Sequence, residues 1–512
     1  FGLGEGITFD MDKVPYLTAE LGGGLQVTYK RRPVARAADL AAMSLAKLGS
    51  GCTLLGYYMY HGGMNPDGKL TTLEENKASG SLNDLLVKNY DFLAPLGEYG
   101  NMNGSYKEIR MLSLFLKEWG GQLCGMDAHI PEDAPKHPED YSSLRYSWLF
   151  TGSSIGSGNT GSEAKLADVP APGFLFVNNF QRRRDMAEHD GVSLNLPAEL
   201  GGGSMPTLDI YNGDYFFLPV NMRLGETLLR ASACTPLTVL DNKGTKTYVF
   251  YTAAHLAGLS KKDRLYRSSR VCRMSDADPR LYSFAGSGNT MGNASEKEAG
   301  NGGPLVATLS REDALNAARF RLDGGEYLLI SRSLLFQDGN GLYAESLDTL
   351  SFKAYPRLPR KAEGFSERPL ADTGFWLYEK EEAFPSVKTP LFSYGEDESS
   401  TATTKRYRLT TGDWNNTDWD ELFLSIEYSG NCARLYEGGK LLDDQIYTGP
   451  GTNWQVGLKR FGRGKHELLL EVDALNEDDE TFLEEWPSFE TGKSRASLDS
   501  VSLKGKMLEK IL

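Results

Sequence analysis

Glu20 and Tyr58 end two apolar, β-type stretches of the sequence, and Tyr90 lies in the long polar segment that follows. A carboxylate at the end of a strand can act as a nucleophile or as an acid/base. A tyrosine hydroxyl can donate a hydrogen bond to that carboxylate or to a sugar, whose apolar face can also stack on the ring. Each residue taken singly also fits a simpler interpretation, a surface glutamate in a turn or a tyrosine packed in a core.

Glu20, Tyr58 and Tyr90 can act together only if the elements that carry them end at the same rim. Residues 53–60 form an almost continuous apolar and aromatic run, which predicts a strand buried on both faces and therefore parallel. Residues 35–48 carry apolar positions at helical spacing, and residues 106–119 predict a second amphipathic helix. The resulting order of strand, helix, strand, loop and helix is typical of the end of a (β/α)8 barrel, which places catalytic groups at its C-terminal rim.

Short β-type runs dominate from about residue 140 onward and are separated by Gly, Asn, Asp and Pro clusters. They cover residues 174–180, 214–220, 245–252, 326–331, 422–428 and 467–472. We therefore predict a mixed fold, α/β plus all-β, in which the C-terminal part of a TIM barrel is followed by antiparallel, jelly-roll-like β-sandwich domains. The barrel part, an accessory β-domain, a second β-sandwich and a C-terminal jelly-roll-like sandwich are predicted at residues 1–120, 121–260, 261–398 and 399–512.

The composition excludes several classes of function. The net charge of −14 argues against broad electrostatic binding to nucleic acid or to anionic membranes and suits a neutral ligand. Five cysteines and six histidines are dispersed without metal-ligand spacing, so we predict no disulfide framework, no metal site and no cofactor. No apolar run is long enough to predict a membrane span. The glycine-rich residues 151–163 and 286–303 lack the context of a phosphate-binding loop and are predicted to be tethers.

Residues 56–65 read GYYMYHGGMN, and residues 89–100 read NYDFLAPLGEYG. The two segments resemble motifs of glycoside hydrolase family 35, the retaining β-galactosidases. The first is similar to the family's Tyr-Met-x-His-Gly-Gly-Thr-Asn motif. The second is similar to its Ser-Tyr-Asp-Tyr-Asp-Ala-Pro-Leu-x-Glu-x-Gly motif. A looser similarity follows in residues 173–182, GFLFVNNFQR, which look like a strand of the family's accessory β-domain. The chain therefore resembles the C-terminal portion of such an enzyme, beginning near barrel strand seven.

The resemblance implies a role for each candidate site residue. Glu20 matches the nucleophile at the end of barrel strand seven, and Tyr58 matches the tyrosine of strand eight that contacts nucleophile and sugar. Tyr90 matches a sugar-contacting tyrosine of the next loop, and Asn65 is expected to shape the substrate-binding rim. The implied activity is removal of terminal, non-reducing β-D-galactose through a covalent glycosyl-enzyme, with retention of configuration.

Retention requires a second carboxylate about 5 Å from the first. In the family this acid/base is a Glu in an Asn-Glu pair that lies well before the nucleophile, whereas only nineteen residues precede Glu20. The pair Asn476-Glu477 lies in an acidic stretch that predicts a solvated loop. We therefore expect the acid/base to come from an N-terminal barrel half that lies outside this chain, as a separate or cleaved polypeptide.

A change of sugar is one open alternative. Leu21 and three glycines stand where the family has aromatic residues, and Met64 and Phe92 replace a threonine and a tyrosine. These differences predict an altered or wider subsite, which would suit another β-linked sugar such as glucosamine or glucose.

A non-catalytic carbohydrate-binding assembly is the other alternative. In it, aromatic residues of the C-terminal domain would form a sugar-stacking platform, although packing in the sandwich core is the simpler interpretation of the same residues. The residues concerned are Trp414, Trp419, Trp454, Tyr428 and Tyr436. In either case we expect a periplasmic or secreted protein, because carbohydrate-degrading proteins are commonly exported.

Overall fold

The structure is a computed structural model that describes residues 10, 13–69, 75, 80–81, 83–151, 170–225, 227–257, 270–273, 304–371, 373–381, 392–489 and 494–512. Strands make up most of the described secondary structure. Apart from Thr151, the two predicted glycine-rich tethers lie outside the described residues. None of the described helices is long and apolar enough to cross a membrane.

The first part of the chain has the predicted order of strand, helix, strand, loop and helix. Its elements are β1 (Tyr16–Gly22), β2 (Arg31–Arg32), α1 (Ala37–Gly49), β3 (Cys52–Tyr58), β4 (Gly63–Met64), β5 (Asn89–Tyr90) and α2 (Gly104–Leu123). β1 and β3 pair in parallel, with Gly22 opposite Tyr58. The two helices lie against this pair, where Leu40 of α1 and Ile109 of α2 share a small core with Leu21.

The predicted strand at residues 53–60 is parallel, but the prediction that it is buried on both faces is wrong. Leu54 of β3 is 49% exposed, and Leu17 of β1 is 52% exposed. Within the described residues, the sheet that contains β1 and β3 has only these two strands. An apolar run therefore predicts a strand that other elements could cover on both faces. It contains no information about which elements cover the strand.

A five-stranded antiparallel sheet follows, in the order β12-β11-β8-β7-β6. One face packs on the three-stranded sheet β15-β10-β9, and the other packs on α1 and α2 through contacts such as Phe115 against Phe174 and Phe217. The helices that carry the parallel pair are thereby fixed to this sheet. The strands of this part are β6 (Asp127–His129), β7 (Tyr146–Phe150), β8 (Gly173–Asn179), β9 (His189–Val192), β10 (Leu208–Ile210), β11 (Asp214–Leu224), β12 (Thr227–Ala231), β13 (Cys234–Asn242), β14 (Thr245–Thr252), β15 (His255–Leu256), β16 (Arg270–Arg273) and β17 (Leu305–Leu309).

The third part begins with a short helix and continues as a five-stranded antiparallel sheet in the order β18-β19-β22-β24-β23. One apolar core covers this sheet and includes Phe352, Tyr378 and Leu342. The elements are α3 (Arg311–Leu315), β18 (Ala317–Leu322), β19 (Gly325–Ile330), β20 (Leu334–Asp338), β21 (Gly341–Ser346), β22 (Ser351–Tyr355), β23 (Phe365–Pro369) and β24 (Trp376–Lys380).

The last part is a sandwich of two five-stranded antiparallel sheets, β20-β21-β35-β27-β30 and β25-β26-β31-β28-β29. Alternating apolar residues of both sheets fill one core. The strands are β25 (Ser393–Glu396), β26 (Thr404–Thr410), β27 (Glu421–Ser429), β28 (Cys432–Glu437), β29 (Lys440–Ile446), β30 (Asn453–Gly457), β31 (Glu467–Asp473), β32 (Leu475–Asn476), β33 (Phe482–Leu483), β34 (Ser494–Arg495) and β35 (Ser497–Lys510).

All six β-type runs predicted from the sequence are strands, namely β8, β11, β14, β19, β27 and β31. The division into four domains stays a prediction, and hydrogen-bonded strands cross all three of its boundaries. β2 pairs in parallel with β33, which joins the first predicted domain to the last. β14 pairs in parallel with β17 across residues 260–261, and β21 pairs with β35 across residues 398–399. Local composition locates strands and loops, whereas the choice of a distant strand partner depends on tertiary packing.

The proposed aromatic platform is wrong for most of its residues. Trp414, Trp419, Trp454 and Tyr428 are buried in the sandwich core, where their rings pack between the two sheets. Tyr436 is half-buried. The core therefore uses these rings for packing, and four of the five cannot stack on a bound sugar.

Candidate active site

Glu20 lies on β1, two residues before the strand ends, and it is exposed. The neighbouring strand β3 runs parallel and ends at Tyr58, so both strands direct their C-terminal ends to the same edge. The side chain of Tyr58 is 40% exposed at this edge. The structure thus places the predicted nucleophile and the predicted strand-eight tyrosine on one open rim.

The glycines after Glu20 allow the backbone to approach this rim closely. The amide of Gly23 donates a hydrogen bond of 2.6 Å to the carbonyl oxygen of Tyr58. A Cβ atom on Gly23 would lie under 3.0 Å from the Met59 carbonyl oxygen, and one on Gly24 would lie 2.9 Å from the Phe92 carbonyl oxygen. Only a residue without a side chain fits at either position. The glycines therefore join the Glu20 strand end to the segments that carry Tyr58 and Phe92.

Tyr58 and Tyr90 meet at the rim. Their phenolic oxygens lie 2.9 Å apart, and either hydroxyl can be the donor. The Tyr90 ring also packs on Phe92, with 4.3 Å between the ring centroids. Burial, followed by the hydrogen bond to Tyr58, raises the pKa of Tyr90 to about 12. Tyr90 therefore keeps its proton throughout the neutral range and stays a hydrogen-bond donor.

Asn65 is buried and holds the loop that leads to Tyr90. Its Nδ2 donates to the carbonyl oxygens of Leu86 and Val87 at 3.4 and 3.3 Å. Its backbone amide donates to the carbonyl oxygen of Lys88 at 2.7 Å. The structure shows a loop-supporting role for Asn65, and its contact with substrate stays a prediction.

The same loop is fixed by a carboxylate from the C-terminal sandwich. Asp444 of β29 accepts three backbone hydrogen bonds, from the amides of Val87, Lys88 and Asn89 at 2.8 to 2.9 Å. Burial raises the pKa of Asp444, while these donors lower it. The sandwich therefore positions the segment immediately before Tyr90.

A second contact joins the end of the motif loop to the sandwich. Arg460 donates a 2.7 Å hydrogen bond to the carboxylate of Glu98, which is almost fully buried. The adjacent Tyr99 donates its hydroxyl to Asp443 at 2.9 Å, and the indole of Trp454 donates to the same carboxylate oxygen at 3.2 Å. Both ends of the loop that carries Tyr90 are therefore anchored to the C-terminal sandwich.

Sequence reasoning missed these anchoring residues. The available signal was the pair Asp443-Asp444, which follows Leu441 and Leu442 in strand β29, since adjacent carboxylates in a buried strand need specific partners. Their partners lie about 350 residues earlier in the chain. Neither residue spacing nor local propensity contains that pairing.

The arrangement combines the exposed carboxylate of Glu20 and the phenol of Tyr58, at the ends of two parallel strands, with the phenol of Tyr90. A carboxylate in this place can attack an electrophilic carbon, and the phenols can orient that carboxylate or a polyhydroxylated ligand by hydrogen bonds. Among the described residues, no group of acidic, histidine or cysteine side chains has the geometry of a metal site.

Comparisons with known proteins add little to this picture. No family model and no curated protein matches the chain. Among solved structures, the family 31 α-xylosidase of Xanthomonas citri aligns with 76% of this chain and 37% of its own chain, at 11% identity and a TM-score of 0.12. The chain spans little more than a third of that protein, and a similarity this low supports no conclusion about fold or activity.

Proposed function

We propose that the chain is the C-terminal part of a retaining β-galactosidase-like exo-glycosidase. Glu20 attacks the anomeric carbon of a terminal β-D-galactose, and an acid residue protonates the departing glycosidic oxygen. Water then attacks the glycosyl-enzyme, and the acid residue, now acting as a base, accepts a proton from that water. The sugar leaves Glu20 with its anomeric configuration retained. The observation that carries the proposal is the contact between Tyr58 and Tyr90 beside the strand end of Glu20.

The acid/base and the remaining barrel strands belong, in this proposal, to an N-terminal barrel half outside this chain. The exposed apolar side chains of β1 and β3 support it, because parallel strands are normally covered on both faces. An isolated two-stranded sheet is also marginally stable in water, which favours additional strands at this edge. Export to the periplasm or the exterior forms part of the same proposal, since the substrates would be extracellular glycans.

Two rim residues, Phe92 and Met64, bear on the identity of the sugar. Phe92 is buried and offers no hydroxyl, and the sulfur of Met64 faces Arg460 at 3.6 Å. These residues favour testing β-linked glucose and glucosamine beside galactose. A panel of aryl β-glycosides separates the three possibilities by their rates of hydrolysis. The buried sandwich tryptophans argue against the non-catalytic alternative, because they cannot stack on a glycan.

Substitution of Glu20 tests the mechanism. We expect Glu20→Gln to lower hydrolysis of an aryl β-galactoside by about 10⁴-fold or more in the enzyme that contains both barrel halves. The exposed Glu132→Gln serves as the matched control and should retain full activity. Mass spectrometry of a peptide labelled by a 2-deoxy-2-fluoro-galactoside should locate the covalent sugar on Glu20. Undiminished turnover by Glu20→Gln, or labelling elsewhere, would contradict the assignment.

A further inference from the structure

A wide polar cleft lies where three parts of the chain meet, and it does not include Glu20, Tyr58 or Tyr90. Its volume is about 830 Å³, within the range of roughly 300–1,000 Å³ typical of ligand sites. One wall is the end of the motif loop at residues 100–103, and another is formed by Ser351 and Lys353 of β22. Gln455 and Lys506 of the C-terminal sandwich contribute to the third.

The charges that line the cleft cancel one another. Four acidic and four basic residues contribute to the lining, and most of them form ion pairs with each other. The pairs are Lys353 with Asp313 at 2.8 Å, Lys506 with Glu345 at 2.8 Å and Arg332 with Glu312 at 2.7 Å. An anionic ligand would need an excess of cations and a metal ion an excess of carboxylates. The electrostatics therefore favour a ligand without net charge.

The rest of the lining is rich in amides and hydroxyls. Asn101, Asn316 and Gln455 contribute amide groups, which match the hydroxyl groups of a polyol. Ser331 and Ser333 donate their hydroxyls to Ser351 and Ser346, so they contribute acceptor oxygens. A lining of this kind suits an extended, hydrated ligand more than an apolar one. Water-mediated contacts are also available in a cleft this open.

One wall of the cleft belongs to the loop that carries Tyr90 of the candidate active site. Asn101 ends the loop that begins at Tyr90, and its carbonyl oxygen accepts a 2.8 Å hydrogen bond from Gly97. Asn103 donates from Nδ2 to Ala94 at 2.6 Å, which closes the loop on itself. A ligand that contacts residues 100–103 therefore touches the same rigid segment that presents Tyr90.

We propose that this cleft is a second binding site, for a neutral oligosaccharide. The choice of a glycan over other neutral polar ligands rests on the proposed function, whereas the preference for a neutral ligand rests on the paired charges of the cleft. The site would hold a part of the glycan chain that is not being hydrolysed.

A bulky residue at Ser351 tests the proposal. Ser351 is exposed and shares one side of β22 with Lys353, whose Nζ contacts Asp313 in the cleft. Ser351→Trp should fill the cleft and weaken binding of neutral tetrasaccharides by at least about tenfold in calorimetric titration. The probes are β-1,4-galactotetraose, cellotetraose and xylotetraose. Ser366→Trp, at an exposed serine of β23 in the same sheet, is the matched control and should bind like the unchanged chain.

The titration uses this chain alone, so its result is separate from that of the Glu20→Gln assay. Tyr90→Ala should retain cleft binding, which distinguishes the cleft from the rim. Hydrogen exchange of the unchanged chain should show ligand-dependent protection at residues 100–103 and 331–334, a readout that does not depend on the folding of a variant. Absence of binding by all three probes, equal binding by Ser351→Trp, or tighter binding of tetragalacturonate would overturn the proposal.

Discussion

The hydroxyl oxygens of Tyr58 and Tyr90 lie 2.9 Å apart, although 32 residues separate them in the chain. Tyr58 comes from the end of a parallel strand, and Tyr90 comes from the short strand β5 that pairs with β4. Only one of the two hydroxyls can donate to the other, so one proton remains available for a ligand. The pair therefore forms a two-tyrosine donor site beside the Glu20 strand end.

Removing either hydroxyl should lower catalytic efficiency. In the proposed enzyme with both barrel halves, we expect Tyr58→Phe and Tyr90→Phe each to reduce kcat/KM by roughly 5- to 30-fold. This range corresponds to a loss of about 1–2 kcal/mol, the contribution of one hydrogen bond. The double variant should lose less than the product of the single effects, because the two hydroxyls bond each other. Steady-state kinetics of the three variants measures this coupling.

Tyr60→Phe is the control for the tyrosine series. Tyr60 is a similarly exposed tyrosine of the same strand end, and its ring lies beside Tyr106. Its substitution should leave kcat/KM within about twofold of the unchanged enzyme, since a surface hydroxyl contributes little. Fully multiplicative effects of Tyr58→Phe and Tyr90→Phe would show that the two hydroxyls act independently.

Substitution by alanine should affect stability very differently at the adjacent Gly22 and Gly23. A Cβ on Gly23 would collide with the Met59 carbonyl, whereas the nearest atom to a Cβ on Gly22 is 3.5 Å away. We expect Gly23→Ala to destabilise the rim by about 1–3 kcal/mol and Gly22→Ala to change stability by under about 1 kcal/mol. Chemical denaturation and hydrogen exchange of residues 20–25 measure both effects. Equal responses would show that the close approach at Gly23 is unimportant.

The elements of the fold were largely readable from the sequence, because local patterns determine them. The helix at Ala37–Gly49 and the strand at Asp214–Leu224 follow from apolar periodicity and turn residues alone. The parallel pairing of β14 with β17 was not predictable in this way, since it joins strands about 60 residues apart through one shared core. The exposure of Leu54 was also missed, because its apolar neighbours indicate only that the strand can be buried.

The sequence identifies those residues of the candidate site that belong to motifs. It does not identify the residues that tertiary packing brings to the site. Tyr58 and Tyr90 were singled out by two motifs, and they are indeed in contact. Asp443 and Asp444 support the same loop from the far end of the chain, and no local pattern links them to it. Positioning residues of this kind depend on three-dimensional contacts that a single sequence does not encode by spacing.

The exposed apolar side chains of β1 and β3 predict a docking surface for the proposed barrel half. Leu54→Arg should weaken association of this chain with the separately produced N-terminal half by about 10- to 100-fold, since one buried leucine contributes about 1.5–3 kcal/mol. Leu508→Arg, at an exposed leucine of the C-terminal sheet, is the matched control and should associate normally. Analytical ultracentrifugation of the mixed halves measures the difference. Equal association of both variants would place the docking surface elsewhere.

Two neighbouring carboxylates make the anchor of the motif loop sensitive to pH. Burial raises the pKa of Asp443, and the adjacent Asp444 raises it further. Burial and the nearby Asp443 also raise the pKa of Glu98, although Arg460 opposes this. Tyr99 and Asp91 are further titratable groups at the anchor, and burial raises the pKa of both. The folded protein therefore retains protons at this anchor that the unfolded chain has already released.

Stability from this anchor should accordingly fall as the pH rises. An acid whose pKa is higher in the folded state contributes stability below its unfolded pKa, near 4, and that stability is lost as the pH rises through the folded pKa. Asp443→Asn cannot ionise, so the fall in unfolding free energy between pH 5 and 9 should shrink by about 1 kcal/mol or more. The difference in Tm between the variant and the unchanged chain, measured at each pH, isolates this contribution. The exposed Asp190→Asn should show no such trend, and a pH-independent difference for Asp443→Asn would mean that Asp443 is already ionised in the folded protein.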